Sequence, residues 1–234
     1  MVIVPKPGRQ PSRGRPPLDE SERQRILDAT TAVFLEKGFA RAATSEIARR
    51  ARTSKQTLYS LFPSKADLFV AVMSAQTAQL FARHVEYIES GDPPRKALTD
   101  IGCQMLALFT APQFLALYRI IVAETHNFPD LARQLWLTCM ERGQSLLAEY
   151  LKSRHVGGPH YRKSAAQFIS FVLGDYVINA MLNPDLEISD RALQARVREA
   201  VGDFLQLHPL RGQRESGKHD GIHRDASGRS RSQA

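Results

Sequence analysis

Three consecutive polar side chains, Lys55, Gln56 and Thr57, are the residues of this sequence whose types and spacing best suit chemistry with a partner molecule. They follow Ser54, a favoured helix N-cap residue, so the pattern predicts a helix that presents them in its first turn. Lysine can donate to guanine, glutamine can form two hydrogen bonds with adenine, and threonine can use its hydroxyl or methyl group. The stretch therefore predicts contacts to base edges in a DNA major groove. The alternative for Ser54 and Thr57 is helix capping alone, and each residue can serve both purposes.

The elements that must position these side chains are two short helices and the start of a third. Thr44 or Ser45 can cap the first helix, and either hydroxyl is also a candidate phosphate donor. Ser64, with Asp67 three residues later, resembles a capping box at the start of the third helix. Each short helix has an apolar edge, formed by Ile47, Ala48 and Ala51 in the first and by Leu58, Leu61 and Phe62 in the second. The pattern predicts a helix-turn-helix whose second helix enters the major groove.

A longer set of residues at this spacing resembles the DNA-binding domain of the TetR family of regulators. The matching residues are Ile26-Leu27, Phe34, Gly38-Phe39, Ile47-Ala48, Ala51, Ser54, Thr57-Leu58-Tyr59, Phe62, Ser64-Lys65 and Leu68. The resemblance covers roughly residues 21 to 70 and implies that Tyr59 and Lys65 contact phosphates. Lys65 also lies near a helix N-terminus, where the helix dipole favours an anion. The full predicted DNA-binding set is Thr44, Ser45, Arg52, Ser54, Lys55, Gln56, Thr57, Tyr59, Ser60 and Lys65.

Two residues depart from the family pattern. Arg52 stands in the turn where the family often has glycine, and a left-handed arginine would cost about 1 kcal/mol. Leu61 stands where the family often has histidine or tyrosine, and a leucine cannot donate a hydrogen bond to a phosphate. Among the arginines at positions 49, 50 and 52, we expect at least one to contact a phosphate, although all three could form only a solvated basic face.

The charge of the chain is concentrated at its two ends. The 234 residues have a net charge of +8, and residues 1–18 carry four basic side chains and no acidic one before position 19. Arg13-Gly14-Arg15-Pro16 in this segment could enter a minor groove, or the segment could be a solubilising tail. No apolar run approaches the roughly 20 residues of a membrane span, and nothing at the start resembles a signal peptide. We therefore expect a cytoplasmic protein in which Cys103 and Cys139 fill the core rather than form a disulfide.

Helical periodicity without any competing strand pattern predicts an all-α protein. We expect a disordered basic arm at 1–18 and a helix-turn-helix DNA-binding domain at 19–69, with its connector helix continuing to about residue 90. A helical regulatory and dimerisation domain at 91–207 and a disordered basic tail at 208–234 complete the prediction. Within the third part, we expect a helix from Pro129 to about Arg154, one long apolar helix over 160–182 and a last helix over 189–207.

Residues 118–132 resemble the C-terminal domain of AefR-like TetR regulators, which implies a ligand-binding domain. An apolar and aromatic stripe could line its pocket, and the candidate residues are Met105, Phe109, Phe114, Tyr118, Trp136 and Cys139. The same stripe could instead be solid core. If it is a pocket, its chemistry predicts a hydrophobic or aromatic small-molecule effector.

TetR-like dimers usually form through the last two long helices, so the resemblance also implies a homodimer. Gly174 would allow close approach of two helices. Asp175 and Asn179 share one face of a mostly apolar helix, so they need partners across a subunit interface, which we favour, in a pocket or in water. The predicted interface residues are Phe171, Gly174, Asp175, Ile178, Val197, Val201 and Phe204.

His126, beside Glu124 and Asn127, is a candidate for a metal or catalytic group, but a hydrogen-bonding role at a helix end is the favoured alternative. No second histidine stands at ligand spacing, and no nucleophile–base pair can be assembled, so we expect no metal site, no cofactor and no catalytic residues. The sequence predicts a ligand-responsive repressor that binds a near-palindromic, double-stranded DNA operator as a homodimer. The alternative is an all-α enzyme or adaptor with a vestigial DNA-binding unit.

Overall fold

The computed structural model describes residues 20–186 and 188–209, and this part of the chain is built from helices without any strand. The helical elements in chain order are α1 (Glu20–Arg41), α2 (Thr44–Arg50), α3 (Lys55–Leu61), α4 (Lys65–Glu89), α5 (Pro94–Thr110), α6 (Pro112–Glu124), α7 (Pro129–Leu135), a π-helical turn (Trp136–Glu141), α8 (Arg142–Ser153), α9 (Tyr161–Leu173), α10 (Tyr176–Leu182) and α11 (Asp190–Leu207). The predicted all-α fold is confirmed. The predicted arm at 1–18 lies outside the described residues, as does the predicted tail from position 210 onward.

Several helix ends follow directly from the sequence. Gly38 has a φ of 72°. This breaks the regular helix near the end of α1, as expected for a glycine at that position. Proline opens α5, α6 and α7, where its missing N–H costs no hydrogen bond. Ser189 caps α11 by accepting a hydrogen bond from the N–H of Ala192 at 3.3 Å.

The predicted long helix over 160–182 is wrong, because it is broken into α9 and α10 with a bend of 47°. Gly174, between the two helices, has a φ of 46°, a conformation that other residue types rarely adopt. The Arg196 guanidinium fills the space beside it: Nη2 donates to the Phe171 carbonyl at 2.5 Å and would lie 2.6 Å from a Cβ at position 174. A cation therefore satisfies the end of α9 and leaves no room for a side chain at the break.

The predicted helix beginning at Pro129 is also irregular, because it contains the π-helical turn at Trp136–Glu141 between α7 and α8. One extra residue per turn changes which side chains face inward beyond this point. No single helix in the described residues is long and apolar enough to cross a membrane; two pairs, α5–α6 and α9–α10, reach that length only across bends of 63° and 47°.

Two apolar clusters form the core. The first joins α1, α2, α3 and the N-terminal half of α4 to α6, α7 and the π-helical turn. Phe34, Phe39 and Phe69 lie at its centre, with ring centroids 5.1–5.8 Å apart. The second cluster joins the C-terminal half of α4 to α5, α8, α9 and α11. Helix α4 is thus shared between both clusters. It connects the candidate DNA-binding half, which is α1 to α3 with the N-terminal part of α4, to the C-terminal half, which is the rest of α4 with α5 to α11.

Candidate DNA-binding surface and interior cavity

Helix α3 is anchored on one side and exposed on the other. Ser54 caps it by accepting a hydrogen bond from the Thr57 N–H at 2.9 Å, which confirms the predicted cap. Leu58 is fully buried in the first core cluster, whereas Lys55 and Gln56 are exposed. The first turn therefore presents a lysine and a glutamine from a helix whose rotation is fixed by packing, and Thr57 is half-buried beside them. Ser60, one turn further on, is exposed and donates to the Thr57 carbonyl.

The turn between α2 and α3 contains a left-handed arginine. Arg52 has a φ of 53°, the conformation for which glycine would be the easier residue. The next residue fixes the turn to α1, because the Thr53 hydroxyl donates to the Glu22 carboxylate at 3.1 Å. Arg52 and Arg49 are exposed beside α3.

The prediction that Thr44 or Ser45 caps α2 is wrong. Ala43 occupies the cap position without a side-chain hydrogen bond, because the helix already begins at Thr44. The Thr44 hydroxyl instead shares a hydrogen bond of 2.9 Å with the Tyr59 hydroxyl. This contact brings two predicted phosphate-binding groups together and fixes the start of α2 against α3.

A network of ion pairs that the sequence analysis missed holds α2 on α1. Arg50 donates to both oxygens of Glu36 at 2.6 Å and to Glu46 at 2.7 Å, and Lys37 also pairs with Glu46. Hydrogen bonds from Arg50 lower the pKa of Glu36, and those from Lys37 and then Arg50 lower the pKa of Glu46. The i, i+4 spacing of Glu46 and Arg50 is the signal that could have revealed part of it. Arg50 is therefore engaged within the chain, unlike Arg49 and Arg52.

Lys65 has an internal role in addition to the predicted phosphate contact. Its ammonium donates to the carbonyls of Ala40 at 3.0 Å and Ala42 at 3.3 Å, and it lies 4.7 Å from the centroid of the Phe39 ring. Burial lowers the pKa of this lysine. Lys65 thus ties the segment between α1 and α2 to the start of α4.

The start of α4 is also capped as predicted. The Ser64 hydroxyl accepts a hydrogen bond from the Asp67 N–H at 3.1 Å and donates one to the Asp67 carboxylate at 2.7 Å. These bonds hold the first turn of α4 in place beside Lys65.

Three contacts connect this DNA-binding half to α6 and α7. The Ala40 N–H donates to Glu124 at 3.3 Å, and the Gln134 amide donates to Asp67 at 3.0 Å. The rings of Phe39 and Phe128 pack edge to face with centroids 4.9 Å apart. Movement of α6 or α7 would therefore act directly on the ends of α1 and α4.

The C-terminal half encloses a small cavity between α4, α5, the π-helical turn, α8 and α9. Its volume is about 50 Å³. A typical small-molecule site has a volume of at least roughly 300 Å³, so this cavity is far smaller. The lining residues are Thr77, Leu80, Phe81, His84, Met105, Phe109, Cys139, Met140, Gly143, Gln144, Leu147, Ile169 and Leu173. A larger concavity of about 710 Å³ lies between α8 and α9, but it is a surface groove with charged walls and not an interior pocket.

Only half of the predicted pocket residues line the cavity. Met105, Phe109 and Cys139 do so. Phe114 is fully buried in the first core cluster, and Tyr118 packs against the same cluster. Trp136 is 61% exposed, because Leu135 and Cys139, one turn apart, take the inward positions on either side of it. The assignment of Phe114, Tyr118 and Trp136 to the pocket is therefore wrong. The first two pack toward the DNA-binding half, and Trp136 faces solvent.

The residues predicted for the dimer interface also fall into two groups, one buried within the chain and one not. Val197, Val201 and Phe204 are fully buried within one chain, where Phe204 packs on Phe168 with ring centroids 5.2 Å apart. Their assignment to the interface is wrong, because the single apolar stripe of α11 is used against α5 and α9. Ile178 is 62% exposed.

The remaining interface residues lie around the break between α9 and α10. Phe171 is half-buried, whereas Gly174 and Asp175 are exposed. Asn179 is exposed too and accepts from Asn183 at 2.6 Å, so neither polar residue is buried without a partner. The close approach that Gly174 permits is to Arg196 of the same chain.

His126 lies on the surface at the end of α6. Across the described ranges, no three His, Cys, Asp or Glu side chains come together as ligands for a metal ion. Cys103 and Cys139 are free thiols, and burial raises the pKa of each. The candidate site is thus a polar helical surface beside a basic turn.

Two family models match this chain. Residues 26–72 match the model for bacterial regulatory proteins of the tetR family, and residues 96–207 match the C-terminal domain of AefR-like transcriptional repressors. Together they cover most of the chain, from the first core helix to the end of α11.

Similar proteins carry related descriptions. The A-factor receptor protein of Streptomyces griseus is 42% identical over 79 residues, which is 34% of this chain and 26% of the relative. The chain thus matches only about a quarter of that relative's length. A crystal structure described as a TetR-family regulator from Mesorhizobium loti superposes with a TM-score of 0.70 at 23% identity, covering 81% of this chain and 96% of the other. The flavonoid-responsive regulator FrrA has a TM-score of 0.63 at 27% identity, with coverages of 81% and 98%.

Proposed function

We propose that two copies of this chain, which belongs to the TetR family of bacterial transcriptional regulators, bind a near-palindromic operator and that a small molecule releases them from the DNA. One observation carries the proposal: Lys55 and Gln56 are exposed in the first turn of a helix that Ser54 caps and Leu58 anchors. A recognition helix makes its base contacts from its N-terminal residues. We place the protein in the cytoplasm, where its operator is.

Base reading is assigned to Lys55, Gln56 and Thr57. Replacing Gln56 by Ala removes an amide that can pair with adenine, so preference at one base pair should relax at a cost of about 1–3 kcal/mol on the cognate operator. The measurement is fluorescence anisotropy with the operator and with single-base variants of it. Gln206→Ala is the matched control, because Gln206 is an exposed glutamine near the end of α11. An unchanged base preference in the Gln56 variant would contradict the assignment.

Phosphate binding is assigned to the residues around that helix. Thr44 and Tyr59 already contact each other, and Ser45 and Ser60 are exposed nearby. Removing a hydroxyl that contacts phosphate should weaken binding to all DNA sequences alike. Only the removal of a positive charge should also make the salt slope shallower by about one. Lys65→Ala should also weaken binding to all DNA sequences alike. Because this variant loses the internal hydrogen bonds to Ala40 and Ala42, it should have a lower melting temperature as well.

Dimerisation is assigned to the outward faces around the break between α9 and α10. Ile178 and Leu182 are 62% and 75% exposed on α10, which is an unfavourable location for large apolar side chains in a monomer. Phe171, Gly174 and Asp175 belong to the same proposed surface, whereas the buried stripe of α11 does not. Ile178→Glu should shift the protein toward monomers in sedimentation velocity, and Val85→Glu, at an exposed apolar position on α4, is the matched control. Equal dimerisation of both variants would contradict this placement.

Release is assigned to movement transmitted through α4 and α6. An effector can release DNA only if it binds the released conformation more tightly than the DNA-bound one. The contacts Ala40–Glu124 and Asp67–Gln134 connect the two halves, so Gln134→Leu should reduce the loss of operator affinity that a bound effector causes. The printed descriptions of two relatives, an A-factor receptor and a flavonoid-responsive regulator, support small-molecule control.

The alternative function is an all-α enzyme or adaptor with a vestigial DNA-binding unit. A gel shift with the DNA that flanks its own gene separates the two functions. Specific retardation would support the regulator, and its absence under low salt would favour the alternative.

A further inference from the structure

His84 is a buried histidine whose protonation state is determined by its surroundings. It lies on α4, is only 3% exposed, and its Nδ1 lies 2.7 Å from the Leu80 carbonyl oxygen. A carbonyl oxygen can only accept a hydrogen bond, so Nδ1 carries a proton. In a neutral imidazole the other nitrogen, Nε2, is then an acceptor.

That acceptor belongs to a residue of the interior cavity. His84 lines the cavity, and in the described part of the chain its Nε2 has no hydrogen-bond partner. Phe81, Met105 and Phe109 are among the apolar walls of the cavity. A hydroxyl donor that enters the cavity would give this acceptor a hydrogen-bond partner.

Two other polar side chains of the cavity already donate hydrogen bonds to the backbone. The Thr77 hydroxyl donates to the carbonyls of Met73 and Ser74, and the Gln144 amide donates to the Arg162 carbonyl. No lysine or arginine is among the described residues that line the cavity, so it offers no cation to a carboxylate. Burial lowers the pKa of His84, which keeps the ring uncharged near neutral pH.

We propose that His84 selects the effector, by accepting a hydrogen bond through Nε2 from the hydroxyl of an uncharged aromatic molecule such as a phenol. This rests on the proposed function, because it names the ligand class of the same interior cavity. The apolar walls bind the ring system, the Nε2 acceptor orients the hydroxyl, and the lack of a cation among the described lining residues disfavours aromatic acids.

The cavity must expand to admit such a molecule, since its volume of about 50 Å³ is too small for a two-ring phenol. Its walls include flexible side chains, Met105 and Met140, which can change rotamer at low cost. Met140 belongs to the π-helical turn, where one extra backbone residue can be redistributed along the helix. Expansion there would press on α4, whose first residue, Lys65, holds the segment before α2.

The test uses three probes of one shape: β-naphthol, its methyl ether and β-naphthoate. Isothermal titration with the full-length protein should show that β-naphthol binds at least about tenfold more tightly than the ether, which lacks the donor, and more tightly than the naphthoate. In His84→Phe the difference between naphthol and ether should vanish, and in His84→Gln, which retains an acceptor, part of it should return. His126→Phe is the matched control, the same substitution at an exposed histidine that does not line the cavity, and should retain the full difference.

Several outcomes would overturn the proposal. These are equal binding of naphthol and ether by the unaltered protein, loss of the difference in His126→Phe instead of His84→Phe, tighter binding of the naphthoate, or no binding of any probe. Circular dichroism of each variant identifies a failure to fold, and His84→Gln keeps the test valid if His84→Phe does not fold. Operator affinity without any probe is measured in parallel, because its absence would refute the proposed function and not the role of His84.

Discussion

The DNA-binding half and the C-terminal half of this protein are held together by different kinds of contact. Around α1 to α3, the contacts that determine geometry are polar and specific: the Ser54 cap, the Arg50 ion pairs and the bond between Thr53 and Glu22. In the C-terminal half, apolar packing dominates, and the helices are irregular at the π-helical turn and at Gly174. A surface that reads bases needs fixed side chains, whereas a cavity that admits a ligand needs walls that can move.

The two halves also differ in whether their buried polar atoms have hydrogen-bond partners. The buried atoms without a hydrogen-bond partner among the described residues are Tyr150 Oη, Arg154 Nε and Arg196 Nε, all in the C-terminal half. Burial raises the pKa of Tyr150 to about 12, so its phenol stays protonated. Unsatisfied groups lower the cost of an alternative packing in which they find partners. The comparison therefore predicts that the C-terminal half deforms more easily than the DNA-binding half.

The largest expected effect tests whether α11 is core or interface. Phe204 is a fully buried ring that packs on Phe168. Phe204→Ala should therefore lower the free energy of unfolding by about 3–5 kcal/mol. Ile178 is exposed within one chain, so Ile178→Ala should change that free energy by less than about 0.5 kcal/mol at protein concentrations that keep the dimer formed. Urea denaturation of both variants, followed by circular dichroism at several protein concentrations, gives the two values.

The concentration series separates the two roles of Phe204. A core residue destabilises the chain at every concentration when it is truncated, whereas truncation of an interface residue loses its effect when high concentration restores the dimer. If the loss in Phe204→Ala disappeared at high protein concentration, the assignment of this residue to the core would be refuted.

The sequence predicted the DNA-binding half well because its signals are local. Ser54 and Ser64 lie at cap positions that can be recognised from the next three residues, and both caps form. The predicted cap at Thr44 is wrong because the cap position is one residue earlier, at Ala43. Sequence alone does not define the start of a helix to within one residue. The Arg50 network was missed because Glu36 lies on another helix.

The C-terminal half was predicted less well because its decisive contacts are not local. An apolar stripe such as Val197, Val201 and Phe204 shows that a face is buried but not whether the same chain or a second copy covers it. Trp136 faces solvent because other residues take the inward positions of the irregular π-helical turn. The helical periodicity of the sequence does not reveal such a turn. The break at Gly174 depends on Arg196, more than twenty residues away, reaching the end of α9.

A smaller effect compares two serine caps, one in each half. Ser54 and Ser189 each accept a hydrogen bond from a backbone N–H. Ser54→Ala and Ser189→Ala should therefore each cost about 1 kcal/mol of stability. Only Ser54→Ala should also weaken operator binding, because α3 presents Lys55 and Gln56. Thermal melting and operator anisotropy, measured on both variants, test the pair, and equal loss of operator affinity in the two would mean that cap stability alone accounts for the result.

The smallest expected effect compares the two left-handed non-glycine residues of the described chain, Arg52 with a φ of 53° and His155 with a φ of 54°. Glycine at either position relieves about 1 kcal/mol of backbone strain but increases the entropy of the unfolded chain by a comparable amount. Each variant should therefore gain no more than about 0.5 kcal/mol in the free energy of unfolding.

The effects of these two substitutions on DNA binding should differ. Arg52→Gly removes an exposed charge beside α3 and should make the salt slope shallower by about one, whereas His155→Gly should leave it unchanged. Anisotropy titrations over a salt series measure both slopes. If the slopes agreed, Arg52 would not contact phosphate, and Arg49 would remain the exposed cation of α2 that could do so.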